Sequence, residues 1–263
     1  KVWSCEIGDH SWATFPDTEM YDTVLTDSNG NVVAQKKWNP IEDGDFLYQA
    51  LYLYCTRLTK EGKRPKGVAI GTHDGVFGEW SPVVQGNLTD ACLVEASKPQ
   101  FAELVHNYQK YPNVKLVNQL ITTEGQDIEF FEGGKGYTNS VVEKVIRDWE
   151  IVPFDEIKAT VRPSCSINSL ISNYLGGSQK LDWLHLDTEG YDIDLLQALE
   201  DPLPDLIIFE HHHFNEGQKK SMKIYLDAKG YHLTFGDVSC VAVATQHSQT
   251  SIPWEVKLHK KSW

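Results

Sequence analysis

Apolar residues follow two regimes along this chain, and the change comes near residue 66. Before it, Val24-Leu-Thr-Asp27 and Val32-Val-Ala-Gln35 flank Ser28-Asn-Gly-Asn31. Asn-Gly between two such runs predicts a hairpin, because both residues tolerate positive φ. Phe46, Leu47, Ala50, Leu51, Tyr54 and Leu58 then recur at helical spacing, and that helix should end near Gly62 with basic residues in its last turn. Residues 1–65 therefore read as an N-terminal cap or lid segment, and residues 66–263 as the core.

From Gly67 onward short apolar runs alternate with helical patterns. Strands are predicted at 67–70, 91–94, 114–118, 183–186, 206–209, 231–235 and 240–245, and helices at 77–84, 98–110, 191–199 and 217–228. Trp183-Leu-His-Leu186 passes through a very short turn into the helix after Asp192, as parallel α/β units require. The last two strands, joined by Gly236-Asp237, should be antiparallel. Residues 119–165 are less regular, with Gly133-Gly-Lys-Gly136 marking a loop beside a hairpin. The expected class is α/β, with a mostly parallel sheet.

Charge narrows the partners. The chain carries 24 Lys and Arg against 37 Asp and Glu, a net charge of −13. An acidic surface repels phosphate backbones, so neither nucleic acid nor an anionic membrane is the expected partner. The five cysteines are odd in number and lack a CxxC pair, which argues against a disulfide framework and a structural zinc site and fits a reducing compartment. With no apolar run of membrane-spanning length and no signal-like start, a cytoplasmic location is expected. Lys1 in place of an initiating Met is what a processed chain, or a domain joined to others in a longer polypeptide, would show.

The chemistry concentrates in Ala69-Ile-Gly-Thr-His-Asp-Gly-Val-Phe-Gly-Glu-Trp80 and in the strand that comes after it. A strand leads into a turn with Gly71, Gly75 and Gly78, a helix comes next, and Glu95 closes the second strand. Glycines let a backbone approach a ligand, and an acid at that position accepts bonds from ribose hydroxyls. Any adenosine-bearing cofactor suits this arrangement, with Gly71, Thr72, His73, Asp74, Gly75, Gly78, Glu95, Ala96, Ser97 and Gln119 as its candidate contacts. Because ligands bind at the carboxyl ends of parallel strands, Asp187, Thr188 and Glu189 should converge there with Glu210 and the run His211-His-His213. Each has a plainer reading too. Asp187 and Glu189 also suit a helix N-terminus, three successive histidines also suit a solvated loop, and His185 also suits a satisfied core histidine.

Four blocks in this order resemble the FkbM-type family of S-adenosylmethionine-dependent methyltransferases: residues 69–80, Leu93-Val-Glu-Ala-Ser97, Leu184-His-Leu-Asp-Thr-Glu-Gly190 and Ile207-Ile-Phe-Glu-His211. The resemblance spans roughly residues 67–245. It implies a Rossmann-like class I methyltransferase fold, a seven-stranded sheet ending in an antiparallel hairpin, with S-adenosylmethionine as cofactor and Glu95 as the ribose-binding acid. It also implies O-methylation of a sugar or natural-product hydroxyl. The loop variant with His73-Asp74 is similar to methyltransferase domains of large viral, chlorovirus-like glycan-synthesis proteins that act on deoxyhexoses such as rhamnose. A carbohydrate or glycan acceptor is therefore expected. The sequence departs from the family at Ala69, where an Asp is usual, and at His73, where an Asn is usual; Asp74 or Glu79 stands in for the lost acid.

A sugar hydroxyl is a poor nucleophile, so a general base or a metal is expected to assist. Asp187 and His211, with Glu210 between their strands' ends, are the candidates for that work. Asp187, Glu210 and a nearby histidine are also ligands of the kind that hold Mg²⁺ or Mn²⁺. Two rival enzymes remain open on the residues alone, beside a carbohydrate-binding domain that has kept a degenerate cofactor fold. One is an NAD(P)-dependent oxidoreductase of Rossmann type, although the glycines here run G-x-x-x-G-x-x-G and not GxGxxG. The other is a metal-dependent hydrolase using Asp187, Glu210 and His211.

Overall fold

The computed structural model describes residues 44–76, 78–133, 139–148, 157–176, 180–236 and 238–245, together with the backbone of short strands nearer the termini. Two of those strands, Tyr21–Thr26 and Val32–Trp38, pair antiparallel as the hairpin expected around Asn29-Gly30. Their connecting turn lies outside the described residues.

After that hairpin the described elements are helix α1 (Gly44–Lys60), β1 (Lys66–Ile70), α2 (Ser81–Gln85), β2 (Asp90–Glu95), α3 (Lys98–Tyr108) and β3 (Val114–Asn118). The chain continues through β4 (Leu120–Thr122), β5 (Ile128–Glu132), β6 (Asn139–Ser140), α4 (Glu143–Asp148), β7 (Lys158–Arg162), β8 (Ser164–Ser166) and α5 (Ile167–Leu175). The last elements are β9 (Trp183–Leu186), α6 (Asp192–Ala198), β10 (Leu206–Glu210), α7 (Glu216–Ala228), β11 (Tyr231–Phe235) and β12 (Ser239–Ala244).

Seven strands form one sheet in the order β11-β12-β10-β9-β1-β2-β3. The pairs β10–β9, β9–β1, β1–β2 and β2–β3 are parallel, while β12 runs antiparallel to both β10 and β11. This is the expected mostly parallel sheet with its terminal antiparallel hairpin. Chain order reverses between β1 and β9, so the carboxyl ends of those strands splay apart into a crevice.

Each central strand is buried on both faces, which explains its nearly continuous apolar run. Val68, Ile70, Cys92, Val94, Leu184 and Leu186 join one core with α5, α6 and α7. Ala69, Leu93, Ala91 and Trp183 join the other with α1, α2 and α3. Gly67 is required by packing: a Cβ there would collide with the indole of Trp183 in the neighbouring strand. That indole donates to Thr89 Oγ1 at 2.9 Å, so the largest side chain of the sheet interior is both packed and hydrogen-bonded.

Two expectations change. The helix expected over 77–84 starts only at Ser81 and ends at Gln85. Pro82 lacks an N–H and fits only a first helical turn, and Glu79 and Trp80 before it form a turn. The irregular stretch 119–165 is an inserted unit: β5 pairs antiparallel with β6 and β7, and β4 pairs parallel with β8. It leads into α5, a helix absent from those expected, although Ile167, Leu170, Ile171, Tyr174 and Leu175 recur at helical spacing. Ser166 caps that helix by accepting from Ser169 N–H, and Gly176 ends it in the left-handed region.

Candidate active site

A cavity of about 320 Å³ opens over the β1/β9 crevice. This is the size of a small-ligand pocket. Its apolar wall comes from Ile70, Val94, Leu120, Ile121 and Phe130, and its polar wall includes His73, Asp74, Glu95, Asp187 and Glu189.

The glycine turn is fixed by contacts within the protein. Gly71 has φ +78 and its N–H donates to Val94 O at 3.0 Å. A side chain at Gly71 would strike the carbonyl oxygen of Asp187, whose own N–H donates to Ile70 O at 3.0 Å. Thr72 Oγ1 donates to the same Val94 carbonyl at 3.2 Å. Gly75 packs beneath Tyr108, whose hydroxyl donates to the Gly75 carbonyl at 2.7 Å, and Gly78 packs beneath Trp80. Gly71 and Gly78 line the cavity while Gly75 supports it from behind.

Glu95 ties the first two loops together. Its Oε2 accepts from His73 N–H at 2.8 Å and its Oε1 from Ser97 N–H at 2.7 Å. Burial raises its pKa, opposed by those two backbone donors. His73 sits at φ +50, strained for a residue with a Cβ, and this carboxylate contact holds it there. Asp74 accepts from Val76 N–H at 3.0 Å and lies 3.3 Å from His73 Nδ1. Ala96 and Gln119 also line the cavity, and Gln119 donates to Pro163 O at 3.2 Å within the inserted unit.

On the opposite side acids crowd the strand ends. Asp187 comes directly after β9 and lines the cavity; burial first, then the charges of Glu210, Glu189, Asp192 and Glu79, hold its carboxyl well above the usual range. Glu210 ends β10 and is pushed up to about 9 by burial and then by Glu189, Asp192 and Glu79. Asp192, fully buried at the start of α6, is raised to about 6 by burial although Thr188 donates to it at 3.0 Å. His185 Nε2 lies 2.8 Å from Glu79 Oε2 inside the same crevice, so the histidine of the apolar strand is hydrogen-bonded to an acid of the glycine turn.

Glu189 is strained at φ +52, and Ser140 Oγ of the inserted unit donates to its carbonyl at 2.7 Å. Its Oε2 lies 3.0 Å from His213 Nε2. His211 takes a different direction: its ring nitrogen Nε2 is 3.0 Å from Gly236 O, and the ring meets Phe235 edge-on. Of the histidine run it is therefore His213 that joins Glu189 and Glu210, while His211 braces the turn before β12. Sequence pattern alone does not single out Glu189 and His213 as a pair, nor Phe130 and Ile121 as cavity wall. Alternating bulky residues over Ile128–Phe131 are the available signal for Phe130. Asn139 and Ser140 of the inserted unit also line the cavity.

A seven-stranded sheet whose one reversed strand lies next to its edge, an acid closing the second strand and carboxylates at the crevice are the arrangement of a cofactor-binding α/β protein. Residues 69–233 match the family model described as the methyltransferase FkbM domain, well over half of the chain, and the protein belongs to this family of S-adenosylmethionine-dependent methyltransferases. Among solved structures it is similar to the precorrin-6y C5,15-methyltransferase of Geobacter metallireducens, with 11% identity over 73% of this chain and 88% of that one and a TM-score of 0.37. It is also similar to the human methyltransferase 10 domain containing protein, with 11% identity over 75% and 80% and a TM-score of 0.39. No curated protein sequence matches it. The oxidoreductase and hydrolase readings lack comparable support.

The donor set fits S-adenosylmethionine. An ionised carboxylate offers about four lone-pair sites, and the two backbone donors leave Glu95 acceptor capacity for a ribose diol. Ile70, Val94, Ile121 and Phe130 offer an apolar wall for a base, and the acidic crevice suits a sulfonium cation.

Proposed function

We propose that this protein methylates a hydroxyl of a sugar, a deoxyhexose such as rhamnose within a glycan. The observation that carries this reading is Asp187, a carboxylate lining the cavity whose affinity for a proton is raised by its surroundings. S-adenosylmethionine supplies an electrophilic methyl group, so the protein's tasks are to align the acceptor and to take up its proton. Holding reactants in contact contributes up to roughly 7–11 kcal/mol in favourable cases. A carboxylate with a raised pKa accepts a hydroxyl proton more readily than an ordinary one. Asp187 is fixed for this role through its backbone, because its N–H bonds to Ile70 and its carbonyl abuts Gly71.

Glu95 orients the nucleoside, and Asn139 and Ser140 of the inserted unit offer hydrogen-bonding groups to a polyhydroxylated acceptor. The net charge of −13 favours a neutral glycan over nucleic acid. The test is transfer of isotopically labelled methyl from S-adenosylmethionine to a panel of rhamnosides and other glycosides. Labelling of a sugar hydroxyl, lost in Asp187→Asn, is expected. Labelling of a nitrogen or carbon acceptor with every sugar inert would overturn the reading.

A further inference from the structure

We propose that Glu189, Glu210 and His213 form a site for one divalent cation of borderline softness, of the Mn²⁺ or Zn²⁺ kind. Glu189 comes from the β9–α6 loop, and Glu210 and His213 come from the end of β10 and the loop that follows it. One ligand atom from each lies within 4.8 Å of the other two. His213 Nε2 is 3.0 Å from Glu189 Oε2 and 3.7 Å from Glu210 Oε2. Ligand atoms about 2.1 Å from a shared ion stand about 3.0–3.4 Å apart at octahedral or tetrahedral angles, so small side-chain movements close the set.

A second observation points to a ligand. Glu210 is only 9% exposed, and its Oε2 has no hydrogen-bond partner. A buried carboxylate oxygen in that condition carries a substantial desolvation cost, which a coordinated cation would remove. The site also stands among further acids: Asp187, Asp192 and Glu79 act electrostatically on the same group of carboxylates, and His185 is already engaged with Glu79. Glu189 is delivered by a strained backbone, φ +52, which Ser140 and the packing of Val145 against Gly190 hold in place.

Two carboxylates and one imidazole select Mn²⁺, Fe²⁺, Co²⁺ or Zn²⁺ over Ca²⁺, which takes six to eight oxygens. The set differs from the Asp187 and Glu210 pair expected from sequence, with Glu189 and His213 joining Glu210 and Asp187 left free as a base. Of the three ligands, Glu189 lines the cavity. The role of the ion in polarising an acceptor hydroxyl rests on the proposed function; its binding does not.

The test titrates Mn²⁺ into metal-free protein without cofactor or acceptor, reading free Mn²⁺ by electron paramagnetic resonance. One equivalent should bind to the wild type and to His212→Gln, whose side chain is exposed. Affinity should fall at least tenfold in Glu210→Gln and in His213→Gln. Should Glu210→Gln not fold, Glu189→Gln on the loop gives the same reading. Absence of stoichiometric binding, or equal binding by His213→Gln, would overturn the site and leave His213 as a side chain lying between Glu189 and Glu210. Stoichiometric Mn²⁺ with no sugar methylated would overturn the proposed function alone.

Discussion

Gly71 and Asp187, more than a hundred residues apart, meet at the floor of the site, where the carbonyl oxygen of Asp187 occupies the space a Gly71 side chain would need. The glycine loop and the acid of the third family block are thus one packed unit. The contact sets the depth of the crevice between β1 and β9 and fixes where the Asp187 side chain begins.

Gly71→Ala should be severe. It places a Cβ at φ +78 and against a backbone carbonyl that neighbouring hydrogen bonds hold in place. Left-handed strain and overpacking together predict a loss of about 2–5 kcal/mol. Chemical denaturation would measure it; a change below about 1 kcal/mol would mean that the β1–β9 crevice is more compliant than this packing implies.

Glu95→Gln tests the loop tie. Both carboxylate oxygens accept from backbone N–H groups, and an amide NH₂ would confront one of those donors. The expected cost is about 1–3 kcal/mol of stability, because a buried donor loses its acceptor. Binding of S-adenosylhomocysteine, measured calorimetrically, should weaken at least tenfold. Unchanged affinity would detach Glu95 from the nucleoside.

Asp187→Asn should preserve the fold and lower kcat by about 10²–10⁴, the range for a lost general base. In the wild type the base must be ionised to act. Its raised pKa therefore places the rising limb of the pH–rate profile above the usual carboxylate range. A profile that plateaus by pH 5 would assign the proton transfer elsewhere.

Asp192 predicts a pH dependence of stability. Its pKa rises from 3.8 to about 6 on folding because burial disfavours the ionised form. The folded state therefore binds the proton more tightly than the unfolded one. The resulting stabilisation is complete below pH 4 and is lost as pH climbs to about 6, by about 3 kcal/mol from a shift of roughly two units. Asp192→Asn should flatten that part of the curve. An unaltered slope in denaturation midpoints between pH 4 and 6 would place the dependence on other carboxylates.

Strand positions are readable because a parallel strand buried on both faces has few alternatives to an apolar run: Ala91–Val94 and Ile207–Phe209 look the same in sequence and in the sheet. Periodicity misplaces the start of α2 because it continues through Gly78 and Trp80, while Pro82 restricts the helix to its last residues. Helix α5 is legible in Ile167, Leu170, Ile171, Tyr174 and Leu175 and in its end residues Ser166 and Gly176, although the Asn and Ser between them are weak helix formers. His211 and His213 share composition and neighbourhood, and only the direction of each side chain separates the brace from the partner of Glu189.

The order of blocks by itself determined the family, the sheet and the loop ends where chemistry gathers, since strand burial and tight turns leave local signatures. Tertiary structure alone decided which carboxylates share a field, which histidine faces them and what occupies the space beside each glycine. Those properties depend on distances between segments far apart in the chain, and no local pattern of residues encodes such distances.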